Sequence, residues 1–356
     1  MSATPASPNT PLIFPQDELI AAVASRLTRE DVEDRSLRKF EWLERGLTGA
    51  IETAVAELKS NLLSPVLQER GCRALQTMVR GSAERTRAGT AGAIEALTAA
   101  MRAHPASAEV QREACMSLAN LSCDDGNIVK AGAAGAIEVL IAAMRAHLAS
   151  AEVQRAACRA LSRLCHDDGN MVKAGAAGAV EALIAAMRAH LASAEVQSEA
   201  CSALFWLSRD DGNMVKAGAA GAVEALIAAM RAHPASAEVQ HEACRALCRL
   251  FRVDGNIVKA GVAGAIEVLT EAMRAHPTST EVQREACSAL YNLIYGNSSN
   301  AAKACTASAV DAANRAMQNH ADEADLVAAA QLLLRALTSG RRPENAQQQQ
   351  DTKTAT

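Results

Sequence analysis

Arginine and aromatic side chains recur through the middle of this chain at spacings that gather them on one side of successive helices. Arg73 and Arg80 open the series, and Arg112 comes next. Arg155, Arg159 and Arg163 follow, then Phe205, Trp206 and Arg209, then Arg245, Arg249 and Arg252, then Arg284, Tyr291 and Tyr295. Steps of about four, seven and eight residues return to the same helix face. A guanidinium presents a rigid fork of donors that fits carboxylates and phosphates, and Arg, Trp and Tyr dominate binding hot spots. The chemistry such a stripe can do is recognition of an anionic ligand, not the making of bonds. Lys is absent from the stripe and Glu69 is the one acid expected on it. Both tyrosines and one of the two tryptophans lie there, in a chain with only four Phe.

Other reactive side chains support no catalytic reading. His104, His147, His190, His233, His276 and His320 recur near one period, too far apart for shared metal ligation, and each stands where a His can serve a helix C-terminus. His241, Cys244 and Cys248 in "HEACRALC" offer three ligands on neighbouring turns but lack a fourth. Cys165 and His166 point about 100° apart on a helix and make no catalytic pair. The "AGAAGA" segments lack the Lys and Ser/Thr of a phosphate-binding loop. No catalytic residue, metal or cofactor is expected. Lys130, Lys173, Lys216 and Lys259 form a second row, read as solvated charge.

The elements that position the stripe come from a repeat of 43 residues. Copies begin at Ala93, Ala136, Ala179, Ala222 and Ala265, with a diverged one from Ala50 and a last one from Ala309. Each parses into three helices. "AIEVLIAAMRAH" spaces Ile137, Leu140, Ile141 and Met144 as one buried face, and "AEVQRAACRALSRL" does the same with Val153, Ala157, Cys158, Leu161 and Leu164 behind Ser150 as N-cap. "GNIVKAGAAG" is a short helix bracketed by glycines. Between the units at 136–178 and 179–221 nine positions differ, seven of them in the third helix. Five of these seven, Arg155/Ser198, Arg159/Ser202, Ser162/Phe205, Arg163/Trp206 and His166/Arg209, fall within an arc of about 100° opposite the apolar face.

"NIVKAGAAGAIEVLIAAMRAHLASAEVQRAACRALSRL" resembles an armadillo repeat, with its short Gly-ended first helix, an "AI..L" second helix and a third reading "VQ..A..AL..L". The resemblance implies an all-α fold, a right-handed armadillo-type superhelix of about seven three-helix repeats, with third helices lining a concave groove. It covers residues 46–338, preceded by a helical cap at 16–45 and flanked by polar disordered segments at 1–15 and 339–356. Where importin-α-like members carry a Trp-Asn ladder for basic cargo, this chain has Arg73/Thr77, Met116/Asn120, Arg159/Arg163, Ser202/Trp206, Arg245/Arg249 and Ser288/Asn292. The ladder is absent and a basic groove is more similar to the catenin type. Asn120 and Asn292 join the candidate groove residues.

Nearly half the residues are apolar and the net charge is -4, which excludes a globally basic nucleic-acid binder. Ser2 excludes N-myristoylation, and no apolar run is long enough to span a membrane. Six of ten cysteines recur at the repeat period and read as small core hydrophobes in a reducing compartment, so a cytoplasmic or nuclear protein is expected. The reading is a scaffold whose groove takes an extended acidic or phosphorylated protein segment. Single-stranded nucleic acid on the same stripe is the alternative, and a structural spacer is the third. The spacer gains ground if Asp124, Asp125, Asp167, Asp168, Asp210 and Asp211, just after the third helices, fold back onto the arginines.

Overall fold

A computed structural model describes residues 50–339, with 34–36 and 38. The described residues are helical almost throughout and contain no strand. One unit shows the plan: a first helix at Asp125–Ala134, a second at Ala136–Ala146 and a third at Ala151–Leu164. The triplet recurs along the chain. Each third helix packs most extensively on the third helices before and after it, so these helices form one continuous layer. Ile137, Leu140, Ile141, Met144, Val153, Ala157, Cys158, Leu161 and Leu164 are buried, as their spacing predicts. The period-spaced cysteines are buried and free, and burial pushes their thiols well above the ordinary range, which leaves them inert.

Local chemistry sets the helix ends. Ser150 Oγ accepts from the backbone N–H of Val153 at 3.3 Å, and Ser107, Ser193, Ser236 and Ser279 cap their third helices in the same way. First helices end at a glycine in the left-handed region, Gly135 at φ 78° and Gly178 at φ 88°, which lets the second helix leave at once. In the last unit Ser308 occupies that position at φ 63°, the one non-glycine among the described residues with positive φ.

Polar side chains tie neighbouring units together. His104 Nε2 lies 2.7 Å from the Leu62 carbonyl, so Nε2 carries the proton and donates. His147, His190, His233, His276 and His320 make the equivalent bond to the unit before. The ladder expected to serve its own helix end therefore reaches across the joint instead. Asn170 Nδ2 donates to the Ile128 carbonyl at 2.9 Å, and its Oδ1 sits against Gly132, where a Cβ would lie only 1.6 Å away. Small residues at that position are thus required by close approach. The lysine row is also engaged: Lys173, Lys216 and Lys259 donate to the carbonyls of Gly132, Gly175 and Gly218. Each such bond contributes on the order of 1 kcal/mol, and the histidine bond recurs from joint to joint between His104 and His320.

Of the cap expected at 16–45 only residues 34–36 and 38 are described. Ser36 is buried and donates to Glu57 at 3.0 Å. The segment expected at 1–15 and the tail expected at 339–356, past its first residue, lie outside the described residues. At the other end, Asn314 and Gln331 are exposed where the preceding unit buries Thr270 and Cys287, so the last described unit turns a polar face outward.

Candidate binding face on the third helices

The third-helix layer exposes the outward side of Pro65–Met78, Ala108–Leu121, Ala151–Leu164, Ala194–Leu207, Ala237–Leu250 and Thr280–Ile294. Arg112, Asn120, Arg155, Arg159, Arg163, Phe205, Trp206, Arg209, Arg245, Arg249, Arg284, Tyr291, Asn292 and Tyr295 are all partly exposed on or just beyond these helices, and Arg252 is exposed. Two other stripe positions behave differently. Ser162 and Ser198 are buried, and Ser162 Oγ donates to Ser202 Oγ at 3.1 Å. The physical reason is side-chain length: at the same two positions the longer Phe205 and Arg155 reach the surface, whereas a serine stays covered between neighbouring third helices.

Acids are more numerous here than Glu69 alone. Glu113, Glu199, Glu242 and Glu285 recur just before the core cysteine and reach the stripe. Glu113, nearly buried, lies 3.0 Å from Arg73 and 2.8 Å from Arg112. Glu242 holds Arg245 at 3.0 Å, Glu285 holds Arg284 at 3.1 Å and Glu199 stands 3.9 Å from Arg159. Burial raises the Glu199 carboxyl above the ordinary carboxylate range, against the pull of Arg159. The signal was present in the sequence as "EAC", recurring in four of the copies with Ala156 in its place in another.

The Asp-Asp-Gly turns do not supply the neutralisation. Asp124, Asp167 and Asp210 instead cap the following first helix, their Oδ1 atoms accepting from the backbone N–H of Asn127, Asn170 and Asn213 at 3.0, 2.9 and 2.8 Å. Among the described residues no carboxylate stands at ion-pair distance from Arg155, Arg163, Arg209, Arg249 or Arg252.

Two of these arginines, Arg209 and Arg249, stand beside the aromatic pair. His166 stacks on Trp206 with ring centroids 3.9 Å apart, and Phe205 meets Trp206 edge-on at 5.3 Å. The guanidinium of Arg209 lies 5.4 Å from the Trp206 ring, and those of Arg245 and Arg249 lie 3.9 and 5.5 Å from the Phe205 ring. Partial burial, with Arg163 and Arg209 beside it, holds His166 below its ordinary range and so neutral on the indole. Further along, Tyr291 and Tyr295 stack at 5.3 Å. Asn120 and Asn292 are tied to the preceding third helix, Asn292 donating to the Cys248 carbonyl at 3.0 Å and Asn120 reaching the Gln76 carbonyl at 3.5 Å.

Among the described residues no cluster of His, Cys, Asp or Glu could hold a metal, and no single helix is long and apolar enough to cross a membrane. His241 lies by Glu242, while Cys248 accepts from Asn292.

The sequence profile described as the LRRK2 ARM repeat matches residues 129–339. An engineered protein of solved structure is similar at a TM-score of 0.60 and 30% identity, over 69% of this chain and 97% of that one. A designed armadillo repeat protein is similar at 0.58 and 25%, over 68% and 99%. A chain from a structure concerned with the interaction between cadherin and beta-catenin reaches 0.72 at 18% identity, over 92% of this chain and 62% of that chain, a likeness of fold. No curated protein matches.

Proposed function

The chain belongs to the armadillo repeat family, and from that premise we propose that it is a non-catalytic scaffold whose third-helix groove binds an extended acidic or phosphorylated segment of a partner protein. The observation that carries this reading is the patch where Arg209, Arg245 and Arg249 lie over Trp206 and Phe205, only Arg245 among them engaged by a carboxylate. An extended segment advances about 3.3 Å per residue, so roughly three of its residues cross each unit. The spacer reading loses its main support because the turn aspartates are occupied as helix caps.

The double charge reversal Arg163→Glu with Arg249→Glu tests the groove. Capture of acidic partners from a lysate should be lost while helicity by circular dichroism stays unchanged; undiminished capture by the variant would sink the reading. A single-stranded oligouridylate titrated by fluorescence anisotropy tests the alternative, which requires tight binding that weakens steeply with salt.

A further inference from the structure

The free positive charge lies in the middle of the face, and part of it is gathered around two aromatic rings. On one side Arg73 and Arg112 close on Glu113, and on the other Arg284 closes on Glu285. Between them Arg155, Arg163, Arg209, Arg249 and Arg252 have no carboxylate partner among the described residues, and Arg245 has only Glu242; of these, Arg209, Arg245 and Arg249 gather at the Trp206 and Phe205 rings. Arg249 is half-buried, and burial together with Arg252, Arg209 and Arg245 lowers its hold on its proton below the ordinary arginine range. Like charges gathered in a partly desolvated place cost folding free energy, which the rings of Phe205 and Trp206 offset only in part.

Comparison with the other units shows that this arrangement is not imposed by the repeat. Three earlier units place Asp124, Asp167 and Asp210 as the cap of the first helix. In the unit that carries Arg249 and Arg252 the same position is Val253, and that helix starts with no side-chain cap. A stabilising carboxylate is therefore missing next to the place where arginines accumulate.

Resting on the groove reading above, we propose that this cluster is the seat of a phosphomonoester: a phosphorylated serine or threonine of the partner segment, its dianion bridging Arg209, Arg249 and Arg252, with an adjacent apolar residue on Trp206. A phosphoryl group brings a charge of about -2 and three acceptor oxygens, enough to engage forks arriving from one third helix and from the turns that follow two of them. A carboxylate is planar and satisfies one fork. A nucleic-acid backbone presents a row of single charges, which suits an evenly basic track; here the arginines at both ends of the face are already closed on glutamates.

The test uses the full chain on arrays of degenerate nonapeptides whose central residue is phosphoserine, glutamate or serine, with an oligouridylate as a further probe. Phosphoserine peptides should bind about tenfold or more tightly than their glutamate twins in solution titration. The double variant Arg249→Gln with Arg252→Gln should erase that difference, and Lys130→Gln, exposed on a first helix off the third-helix face, should leave it intact. Equal binding of phosphoserine and glutamate peptides, both lost in the Arg163→Glu, Arg249→Glu variant, overturns the phosphoryl seat and leaves the groove reading standing. No binding by any peptide overturns both. Discrimination that survives loss of Arg249 and Arg252, or oligouridylate binding tighter than any phosphopeptide, overturns the seat as well. Unchanged helicity and a melting temperature no lower than that of wild type show that the variants fold, since none of these arginines lies in the core.

Discussion

Trp206 illustrates how one substitution between near-identical copies changes a surface. In the preceding unit its position holds Arg163; here the indole receives His166 on one side, Phe205 on an edge and Arg209 within cation–π range. Because His166 is held below its ordinary range, the folded protein binds fewer protons than the unfolded chain as pH falls. Its contribution to stability is present above about pH 6.5 and is lost as pH drops toward the lower folded value. Melting temperature followed between neutral and mildly acidic pH should therefore fall less steeply for His166→Gln than for wild type. Trp emission should also titrate with a midpoint below the ordinary histidine value, and that transition should vanish in the variant. A slope and emission curve unaffected by the substitution would show that the stacked pair does not form.

At the scale of the helix, the sequence was most legible where a position answers to one neighbour and least where it answers to several. The apolar faces of Ala136–Ala146 and Ala151–Leu164 and the Ser150 cap follow from spacing and local hydrogen bonding. Placing the arginines on the third-helix face was equally direct. Their electrostatics were not, because Glu113 acts on Arg73 and Arg112, two side chains on different third helices. The histidine ladder was seen as a regularity, yet its acceptor lies in the unit before, beyond any reading of one helix. The glycine-ended first helix carries its own prediction. Ser308 adopts φ 63° where other units have glycine, at a cost of roughly 1 kcal/mol to an L side chain. Ser308→Gly should raise stability by about that amount, seen as a higher denaturant midpoint with unchanged slope; no gain would show that the Ser side chain compensates for its backbone.

For the whole molecule, a solenoid is held by contacts between neighbours alone, so stability is close to a sum over units and joints. Deleting residues 179–221 joins Gly178 to Ala222, the same Gly–Ala step that links first to second helix elsewhere. The shortened chain should fold with proportionally reduced helical signal and a modestly lower melting temperature, and it should lose peptide binding because Phe205, Trp206 and Arg209 leave with the unit. Collapse of the fold would instead reveal long-range cooperativity that the joints do not account for. The ties at those joints, His190 to Leu148 and Lys216 to Gly175 among them, recur between equivalent backbone positions along the chain. Like identical couplings between railway carriages, they carry no address. A gain or loss of one whole carriage would pass unnoticed by the couplings and would be read only by a ligand, as a shift of one carriage in the order of its contacts.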